Sequence, residues 1–174
     1  MTSRLHELAY RQAVADDAPR LAGLAVAGFE TYRSFGPAGW RPPTVAEEVE
    51  RVRATLAKPS IWCRVADDGA GLAGHAGFMA SEHARFPERP PELAHLWQLF
   101  IRRDWWGGGL AAVLLAAAVV AAAEREFEAM RLFTPAGQAR ARRFYEREGW
   151  TLRGGPEHDP AFGMAVVEYR RVLR

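Results

Sequence analysis

Cysteine and long apolar runs are both scarce in this sequence of 174 residues, and each shortage excludes a class of protein. The single cysteine, Cys63, cannot form a disulfide within the chain, which is typical of proteins from a reducing cytoplasm. Cys63 stands in a strand-like run, so we expect a buried thiol rather than a nucleophile. The longest apolar stretch, residues 109–123, is too short and too alanine-rich for a transmembrane span.

The sequence also lacks an excess of charge of either sign. Its 23 basic and 21 acidic residues leave a net charge of +2, which favours neither nucleic acid nor a membrane surface as partner. Residues 1–7 contain no apolar core of a signal peptide, so we expect a cytoplasmic location. The length is that of one ordinary domain, which we expect to span residues 1–174. No cluster of His, Cys, Asp or Glu has metal-ligand spacing, so we expect no metal.

Hydrophobic periodicity predicts the element order β-α-α-β-β-β-α-β-α-β-β. The predicted strands are residues 10–14, 61–66, 72–80, 93–101, 130–134, 150–153 and 162–172. Thr44 is predicted to cap the second helix, whose buried face would carry Val45, Val49, Val52 and Leu56. The fold class is therefore α/β or α+β, with one sheet and helices on its faces.

Three consecutive glycines, Gly107, Gly108 and Gly109, separate the fourth strand from an alanine-rich helix. Glycines let a ligand approach the backbone, and the free amides and dipole at a helix N-terminus attract anions such as phosphates. A P-loop would need Lys and Ser or Thr where Leu110 and Ala111 stand. A Rossmann-type nucleotide binder would carry its glycines after the first strand, so that hypothesis is disfavoured. A turn that only packs strand and helix closely is the other alternative.

A second informative stretch covers residues 138–150, a predicted helix that ends at Gly149. At helical spacing Ala141, Phe144 and Tyr145 share one face. Phe144 is interpreted as a core residue. The hydroxyl of Tyr145 needs a partner or water, and it can donate a proton to a leaving group.

Together, the two stretches resemble the motifs of the GCN5-related N-acetyltransferase (GNAT) family. In the family pattern Gln/Arg-x-x-Gly-x-Gly/Ala, the last three positions are matched by Gly109, Leu110 and Ala111, and Trp106 stands where Gln or Arg is usual. The family also has a later pattern, Asn-x-x-Ala-x-x-Phe-Tyr-x-x-x-Gly-Phe. Its positions are occupied here by Gln138, Ala141, Phe144, Tyr145, Gly149 and Trp150.

The resemblance implies a mixed, mostly antiparallel, V-splayed sheet of about seven strands flanked by four helices. It also implies acyl transfer from acetyl-CoA, a co-substrate, without a metal. The backbone of Leu99, Phe100 and Ile101 would pair with the pantetheine arm, and Tyr145 would protonate the departing thiolate. The remaining residues implied to bind CoA are Trp106, Gly107, Gly108, Gly109, Leu110, Ala111, Ala112 and Gln138. Separately, the arginine run 140–147 suggests that Arg142 contacts the 3′-phosphate of CoA, although the run also suits a solvated helix face.

Acyl transfer to an amine requires a neutral nitrogen. Removing the proton from an amine of pKa about 10.4 costs roughly 4–5 kcal/mol at pH 7, so a general base is expected. His95 stands where some family members carry a glutamate base, and a neutral histidine can accept a proton. Glu92 is a nearby alternative, and Glu82 and Glu30 are more remote ones.

The acceptor is what the sequence defines least. Aromatic residues in segments 30–43 and 81–92 favour a partly apolar amine, either a small molecule or a peptide. The same aromatic side chains would also suit the interface of a homodimer. The main alternative function is a catalytically silent acyl-CoA-binding or regulatory module on the same fold.

Overall fold

A computed structural model describes residues 4–173 of the protein; residues 1–3, part of the segment in which we expect no signal peptide, lie outside the described residues. The strands are β1 (Ala9–Gln12), β2 (Trp62–Asp67), β3 (Leu72–Ala80), β4 (Leu93–Ile101), β5 (Ala129–Pro135), β6 (Thr151–Asp159) and β7 (Met164–Val172). The helices are α1 (Ala18–Glu30), α2 (Val45–Leu56), α3 (Leu110–Glu124) and α4 (Ala139–Arg147). The order of elements is the one that the periodicity predicts.

All seven strands lie in one sheet, in the order β1-β2-β3-β4-β5-β7-β6. Neighbouring strands are antiparallel except for β4 and β5, which are parallel. The mixed, mostly antiparallel sheet of seven strands with four helices is therefore confirmed. The single parallel pair arises because β4 and β5 are joined by the crossover helix α3.

Two apolar layers cover opposite faces of the sheet. Because side chains alternate along a strand, Cys63 and Val65 of β2 pack with α1 and α2, while Trp62 and Ala66 pack in the larger cluster with α3. The α3 helix buries one stripe of leucine and alanine against β3 and β4. Its small side chains allow close packing, which fixes its N-terminus at the end of β4.

The buried face of α2 differs from the predicted one. The structure buries Glu48, Val52 and Thr55, whereas Val45 is 48% exposed. Glu48 can lie inside because its carboxylate accepts a hydrogen bond from Gln98 Nε2 at 2.8 Å. The prediction that Val45 belongs to the buried face is therefore wrong.

The sixth strand is longer than the sequence predicts. The glycine–proline run 154–156 indicates a loop, but the structure continues β6 to Asp159. The pairing with β7 is irregular between Arg153 and Glu157, so the run is accommodated as a bulge in an edge strand. An edge strand tolerates proline there because its amide is not needed for a second neighbour.

Cys63 is buried, as expected, with 4% of its surface exposed. Burial, assisted by the nearby Asp17 carboxylate, raises the pKa of the thiol to about 12. The thiol is therefore protonated at neutral pH and unsuited to attack as a thiolate. Among residues 4–173, no helix is both long and apolar enough to cross a bilayer.

Candidate active site

The glycine loop, residues 107–109, connects the turn after β4 to the first turn of α3. Gly107 and Gly109 have φ angles of 77° and 87°, in the left-handed region that favours glycine. The helix has no side-chain cap, and its first backbone bond runs from the Val113 amide to the Gly109 carbonyl at 3.2 Å. Earlier amides of the helix therefore face outward at the positive end of the dipole, which is the geometry of an anion site.

The base of the glycine loop is anchored by Asp68, in the turn between β2 and β3. Its carboxylate accepts hydrogen bonds from the Arg102 guanidinium and from Trp105 Nε1, the latter at 3.1 Å. Arg102 also donates to Asp104 at 2.7 Å. The Arg102 guanidinium and the Trp105 indole hold the pKa of Asp68 well below its usual range, so these bonds persist at neutral pH.

Trp106 occupies the loop position where the family motif has Gln or Arg. Its Nε1 donates to the Ile101 carbonyl, the last of β4, at 2.8 Å. The guanidinium carbons of Arg140 and Arg103 lie 4.2 Å and 5.8 Å from its ring centroid. Trp106 thus holds two exposed arginines beside the anion site. This role of Trp106 was not predicted from the sequence. It also occupies the Ile101 carbonyl that was expected to pair with pantetheine.

A cavity of about 570 Å³ opens next to Trp106, between the glycine loop and the end of α1. It is lined by Glu30, Thr31, Arg33, Ser34, Arg103 and Trp106. Arg33 is ion-paired with Glu30, so Arg103 supplies the remaining positive charge of this cavity. Glu30, considered from the sequence as a remote base, therefore lies at the loop and is already paired.

The sheet divides where β4 and β5 separate. Their parallel pairing covers Leu93 with Ala129, Ala94 with Met130 and His95 with Arg131, and ends there. We call the His95–Arg131 rung the apex. Beyond it, residues 96–101 of β4 continue toward the glycine loop without pairing to β5, which leaves a strand edge available for an extended ligand. The predicted Leu99 and Phe100 lie on this segment.

A β-bulge lies just beyond the apex. Gly77 of β3 is opposite Gln98, but the next residue, Phe78, is opposite Leu96, so Trp97 is the additional residue in β4. Trp97 and Gln98 consequently both face the α1 and α2 side, where Trp97 packs in the smaller apolar cluster and Gln98 binds Glu48 of α2. Bulges are common next to active sites because they redirect side chains and end regular pairing.

Tyr145 lies on the buried side of α4. Its ring is 5.3 Å from that of Phe144, 6.0 Å from Trp150 and 6.1 Å from Tyr169, measured between centroids. Burial raises the pKa of its hydroxyl, so Tyr145 is protonated at neutral pH.

Gln138 and Arg142, both expected to contact CoA, make hydrogen bonds within the domain. Gln138 Oε1 accepts from Thr134 Oγ1 at 3.0 Å. Arg142 Nε donates to the Tyr169 hydroxyl at 3.2 Å, and its Nη1 donates to the Ala136 carbonyl at 2.9 Å. These bonds hold α4 against the sheet, and contact of either residue with CoA stays a prediction.

An aromatic cover, formed by Tyr32, Phe35, Trp40 and Phe162, closes over the start of α4. The Tyr32 ring lies 5.3 Å from Phe35, 6.0 Å from Trp40 and 5.9 Å from Phe162. Trp40 Nε1 donates to the Phe162 carbonyl at 2.7 Å, which joins segment 30–43 to the turn before β7. Phe35 is so close to Gly137 that a Cβ there would lie 3.0 Å from it.

His95, the predicted base, is buried at the apex with 6% of its surface exposed. Burial lowers its pKa to about 3, and the positive charges of Arg131, Arg85 and Lys58 add to the effect. His95 is therefore neutral at pH 7 but binds a proton weakly. This environment does not favour the predicted role of general base, which stays a prediction.

Glu92 is exposed immediately before β4, at the paired end of the strand. Its carbonyl accepts the amides of Glu128 and Ala129 at 2.9 Å and 3.4 Å. Three paired residues of β4 stand between Glu92 and the open part of the cleft, so this placement does not favour Glu92 as the base either. Glu82 is likewise exposed, in a short turn after β3.

Three buried polar side chains, His75, Gln98 and Glu48, form a hydrogen-bonded series that was not predicted from the sequence. His75 Nε2 lies 2.9 Å from Gln98 Oε1, and Gln98 Nε2 donates to Glu48 Oε1 at 2.8 Å. Burial raises the pKa of Glu48 and lowers that of His75 to about 4. The sequence signal for the burial of Glu48 was its spacing, because Glu48 precedes the predicted core residue Val52 by one helical turn. Among the described residues, no group of three or more His, Cys, Asp or Glu side chains is placed to hold a metal ion.

Comparison with known proteins identifies the family. Residues 25–150 match the model of the acetyltransferase (GNAT) family, and a search of curated proteins gives no significant match. The chain resembles an acetyltransferase of the GNAT family from Staphylococcus aureus Mu50, with 12% identity, TM-score 0.73 and coverage of 96% of this chain and 99% of that one.

Two further solved structures share the fold. One is the PaiA N-acetyltransferase from Thermoplasma acidophilum in complex with coenzyme A, with 14% identity, TM-score 0.69 and coverage of 92% and 97%. The other is an acetyltransferase from Thermus thermophilus, with 21% identity, TM-score 0.67 and coverage of 95% and 96%. The family match spans well over half of the chain, and the splayed sheet and glycine loop agree with it. The protein therefore belongs to the GNAT acetyltransferase family, whose members are acyl-CoA-dependent N-acyltransferases.

Proposed function

We propose that the protein transfers an acetyl group from acetyl-CoA to the primary amine of a small molecule or peptide, by direct attack in a ternary complex. The observation that carries this proposal is the position of Tyr145, a buried and protonated hydroxyl on the helix that follows the splayed strand β5. A proton donor there and an anion site at the glycine loop suit the two ends of an extended thioester.

The backbone of this site fits CoA. Phosphate oxygens would bind the amides of residues 107–112, because glycine at the left-handed positions leaves no Cβ over them. The pantetheine arm would run along the free edge of β4 at Leu99 and Phe100. Arg140 and Arg103, held against Trp106, would add positive charge beside the phosphates. When bound, acetyl-CoA supplies an activated acyl carbon with a thiolate leaving group.

The transfer itself forms one bond and breaks one. The amine nitrogen attacks the acyl carbon, a C–N bond forms, and the C–S bond breaks to release the thiolate. The nitrogen loses one proton, and the thiolate gains one from Tyr145, which then recovers its proton from solvent. The burial that raises the pKa of Tyr145 would also raise the pKa of a thiol in the same place. The pKa difference between the two groups would therefore change little.

We propose that the amine reacts after losing its proton to water rather than to His95. The lowered pKa of His95, about 3, makes this histidine a weak base at neutral pH. The pH dependence of kcat/KM should therefore follow the pKa of the acceptor amine. A series of amines of different pKa tests this. If kcat/KM rose near the same pH for every amine, whatever the pKa of the amine, the profile would indicate a base on the protein.

A cytoplasmic enzyme without a nucleic acid or membrane partner fits the small net charge and the buried single cysteine. The competing function is a binding module that holds acyl-CoA without turnover. The weakness of His95 as a base favours this second candidate.

Thiol release from acetyl-CoA, measured with a panel of primary amines, separates the two functions. Calorimetric titration with CoA is run in parallel on the same protein. Amine-dependent release together with CoA binding supports the acetyltransferase. Tight CoA binding without release for any amine supports the binding module, and absence of CoA binding contradicts both.

A further inference from the structure

Arg131 is a charged residue inside the sheet. It lies on β5 between Met130 and Leu132 and is only 1% exposed. Its place is the apex, opposite His95, at the last rung before β4 and β5 separate. A buried guanidinium normally has a carboxylate or carbonyl partner because burial of an unpaired charge is unfavourable.

The guanidinium of Arg131 lacks such a partner on one complete edge. Within residues 4–173, neither Nε nor Nη2 has a hydrogen-bond acceptor, although both atoms are buried. These two nitrogens carry parallel N–H bonds on the same side of the guanidinium. That edge is the one that binds both oxygens of a carboxylate in a bidentate pair.

The acidic residues near Arg131 are already engaged by other arginines. Asp159 forms an ion pair with Arg85. Glu88 and Glu168 both pair with Arg170, the residue opposite Arg131 on β7. Together these three carboxylates and two arginines carry one net negative charge, which offsets the charge of Arg131 through space. Among the described residues, however, none of these carboxylates bonds to the Nε or Nη2 of Arg131.

Aromatic side chains surround Arg131 at the apex. Phe86 and Phe133 stack with their centroids 3.9 Å apart, and the guanidinium carbon lies 5.7 Å and 5.6 Å from these two rings. The His95 ring lies 5.1 Å from that of Phe86, between centroids, and its Nδ1 is also buried with no hydrogen-bond partner in the described part of the chain. The ring faces stabilise a cation but accept no N–H bond in the plane of the guanidinium. The bidentate edge therefore stays available for an oxygen ligand.

We propose that Arg131 binds the carboxylate of the acceptor, and that the acceptor is an α-amino acid. The proposal rests on the proposed acetyl transfer, since it assigns a substrate class to the same cleft. In an α-amino acid one carbon separates the carboxylate from the amine. Fixing the carboxylate at the apex places the amine where the cleft begins to open. Because the site is closed by Phe86, which stacks on Phe133 and is partly exposed, this side chain would have to move to admit the ligand.

The test compares each α-amino acid with its own α-amide, which keeps the amine and side chain but removes the negative charge. Wild-type protein is expected to prefer free acids at least ~10-fold in kcat/KM for the best acceptors, as a bidentate charged pair would give. The change Arg131→Met should reduce that preference to about 1, because the rate with the acid falls toward that with the amide. Arg171→Met is the matched control, because Arg171 is the next arginine on β7, lies opposite Met130, and donates to the Glu148 carbonyl at 2.7 Å rather than to a carboxylate near Arg131; it should keep the preference.

A purely structural role for Arg131 makes a different prediction. If the guanidinium only supports the fold, Arg131→Met should lower the free energy of unfolding in urea. The proposal expects unchanged or higher stability, because an apolar side chain replaces an unpaired buried charge. If Arg131→Met does not fold, Arg131→Lys keeps the charge but lacks the bidentate edge, and it should still lose most of the preference.

The carboxylate could instead be carried by the acyl group, and succinyl-CoA tests that source. An Arg131-dependent preference for succinyl-CoA over acetyl-CoA, with no preference between acid and amide, would overturn the assignment to the acceptor. Equal use of acids and amides by wild-type protein would overturn it as well, as would a preference that survives in Arg131→Met.

Failure of the proposed function can be recognised separately. If no amine supports thiol release, the amino acids are tested by thermal unfolding of the CoA-saturated protein. A rise in Tm with amino acids, absent with amides and absent in Arg131→Met, would still support the carboxylate site. No rise in wild-type protein would reject it.

Discussion

The two ends of the cleft, the glycine loop and the apex, are formed by different kinds of groups. At the glycine loop, backbone amides form the site, the surface is open, and the nearby arginines are exposed and held by Trp106. At the apex, side chains form the proposed site, and His95 and Arg131 are buried with nitrogens that find no partner within residues 4–173. The loop suits a ligand common to a whole family, whereas the apex suits a feature particular to this chain's acceptor.

The largest effect is expected from Gly109→Asp at the loop. The substitution adds a Cβ at φ of 87° and a negative charge among the amides, so CoA affinity should fall at least ~100-fold. Calorimetric titration with CoA measures this. Gly154→Asp is the matched control, because Gly154 also has a positive φ of 71° with nothing near its Cβ position but lies in the edge strand β6. Equal loss of affinity in both variants would show that strain, not the site, is responsible.

Tyr145→Phe should slow the chemical step with little change in CoA binding at the glycine loop. Loss of the proton donor is expected to lower kcat by about 10²-fold, while CoA affinity stays within a factor of about two. The control is Tyr169→Phe, since Tyr169 is a buried neighbour whose hydroxyl donates to Glu146 at 2.6 Å. Full activity of Tyr145→Phe, or an equal decrease in both variants, would remove Tyr145 from the role of acid.

The two buried histidines, His75 and His95, should make the folded protein sensitive to acid. The folded pKa values of His75 and His95, about 4 and about 3, lie below the unfolded value of about 6.5. The contribution of these two histidines to the free energy of unfolding is therefore fully present above about pH 6.5. It is lost as the pH decreases, by on the order of 3–4 kcal/mol for each histidine near pH 3.

Urea unfolding between about pH 8 and pH 4 measures this dependence. His95→Gln should flatten it, whereas His158→Gln, at an exposed position on β6, should leave it unchanged. The rate profile offers a second check, because His95→Gln should not remove an ionisation between about pH 6 and 8. Loss of such an ionisation would restore His95 as the general base.

Trp106→Ala is expected to have the smallest effect. The indole orients Arg140 and Arg103 and binds the Ile101 carbonyl, but the amides that we propose to hold phosphate belong to the backbone. CoA affinity should therefore weaken only about 3- to 10-fold, equivalent to about 1 kcal/mol, because two surface arginines stay charged but lose the ring that orients them. The same titration checks it, and a loss as large as that of Gly109→Asp would mean that side chains, not amides, dominate the site.

The fold and the loop could be predicted from the sequence because both depend on local pattern. Periodicity predicted the order of the elements, and the glycines marked the helix start. The environments of buried side chains could not be predicted, because they depend on residues distant in sequence. Glu48 is inside because Gln98 reaches it, and His95 is a weak base because Arg131, Arg85 and Lys58 converge on it. Arg131 left one sequence signal, a charge between two apolar residues of a predicted strand.

The most direct test of the proposed CoA site is a crystal structure of the protein with CoA bound. We expect the pyrophosphate on the amides of residues 107–112, the pantetheine along β4 beyond the apex, and the sulfur close to the Tyr145 hydroxyl. CoA bound elsewhere, or a sulfur remote from Tyr145, would contradict the proposed site.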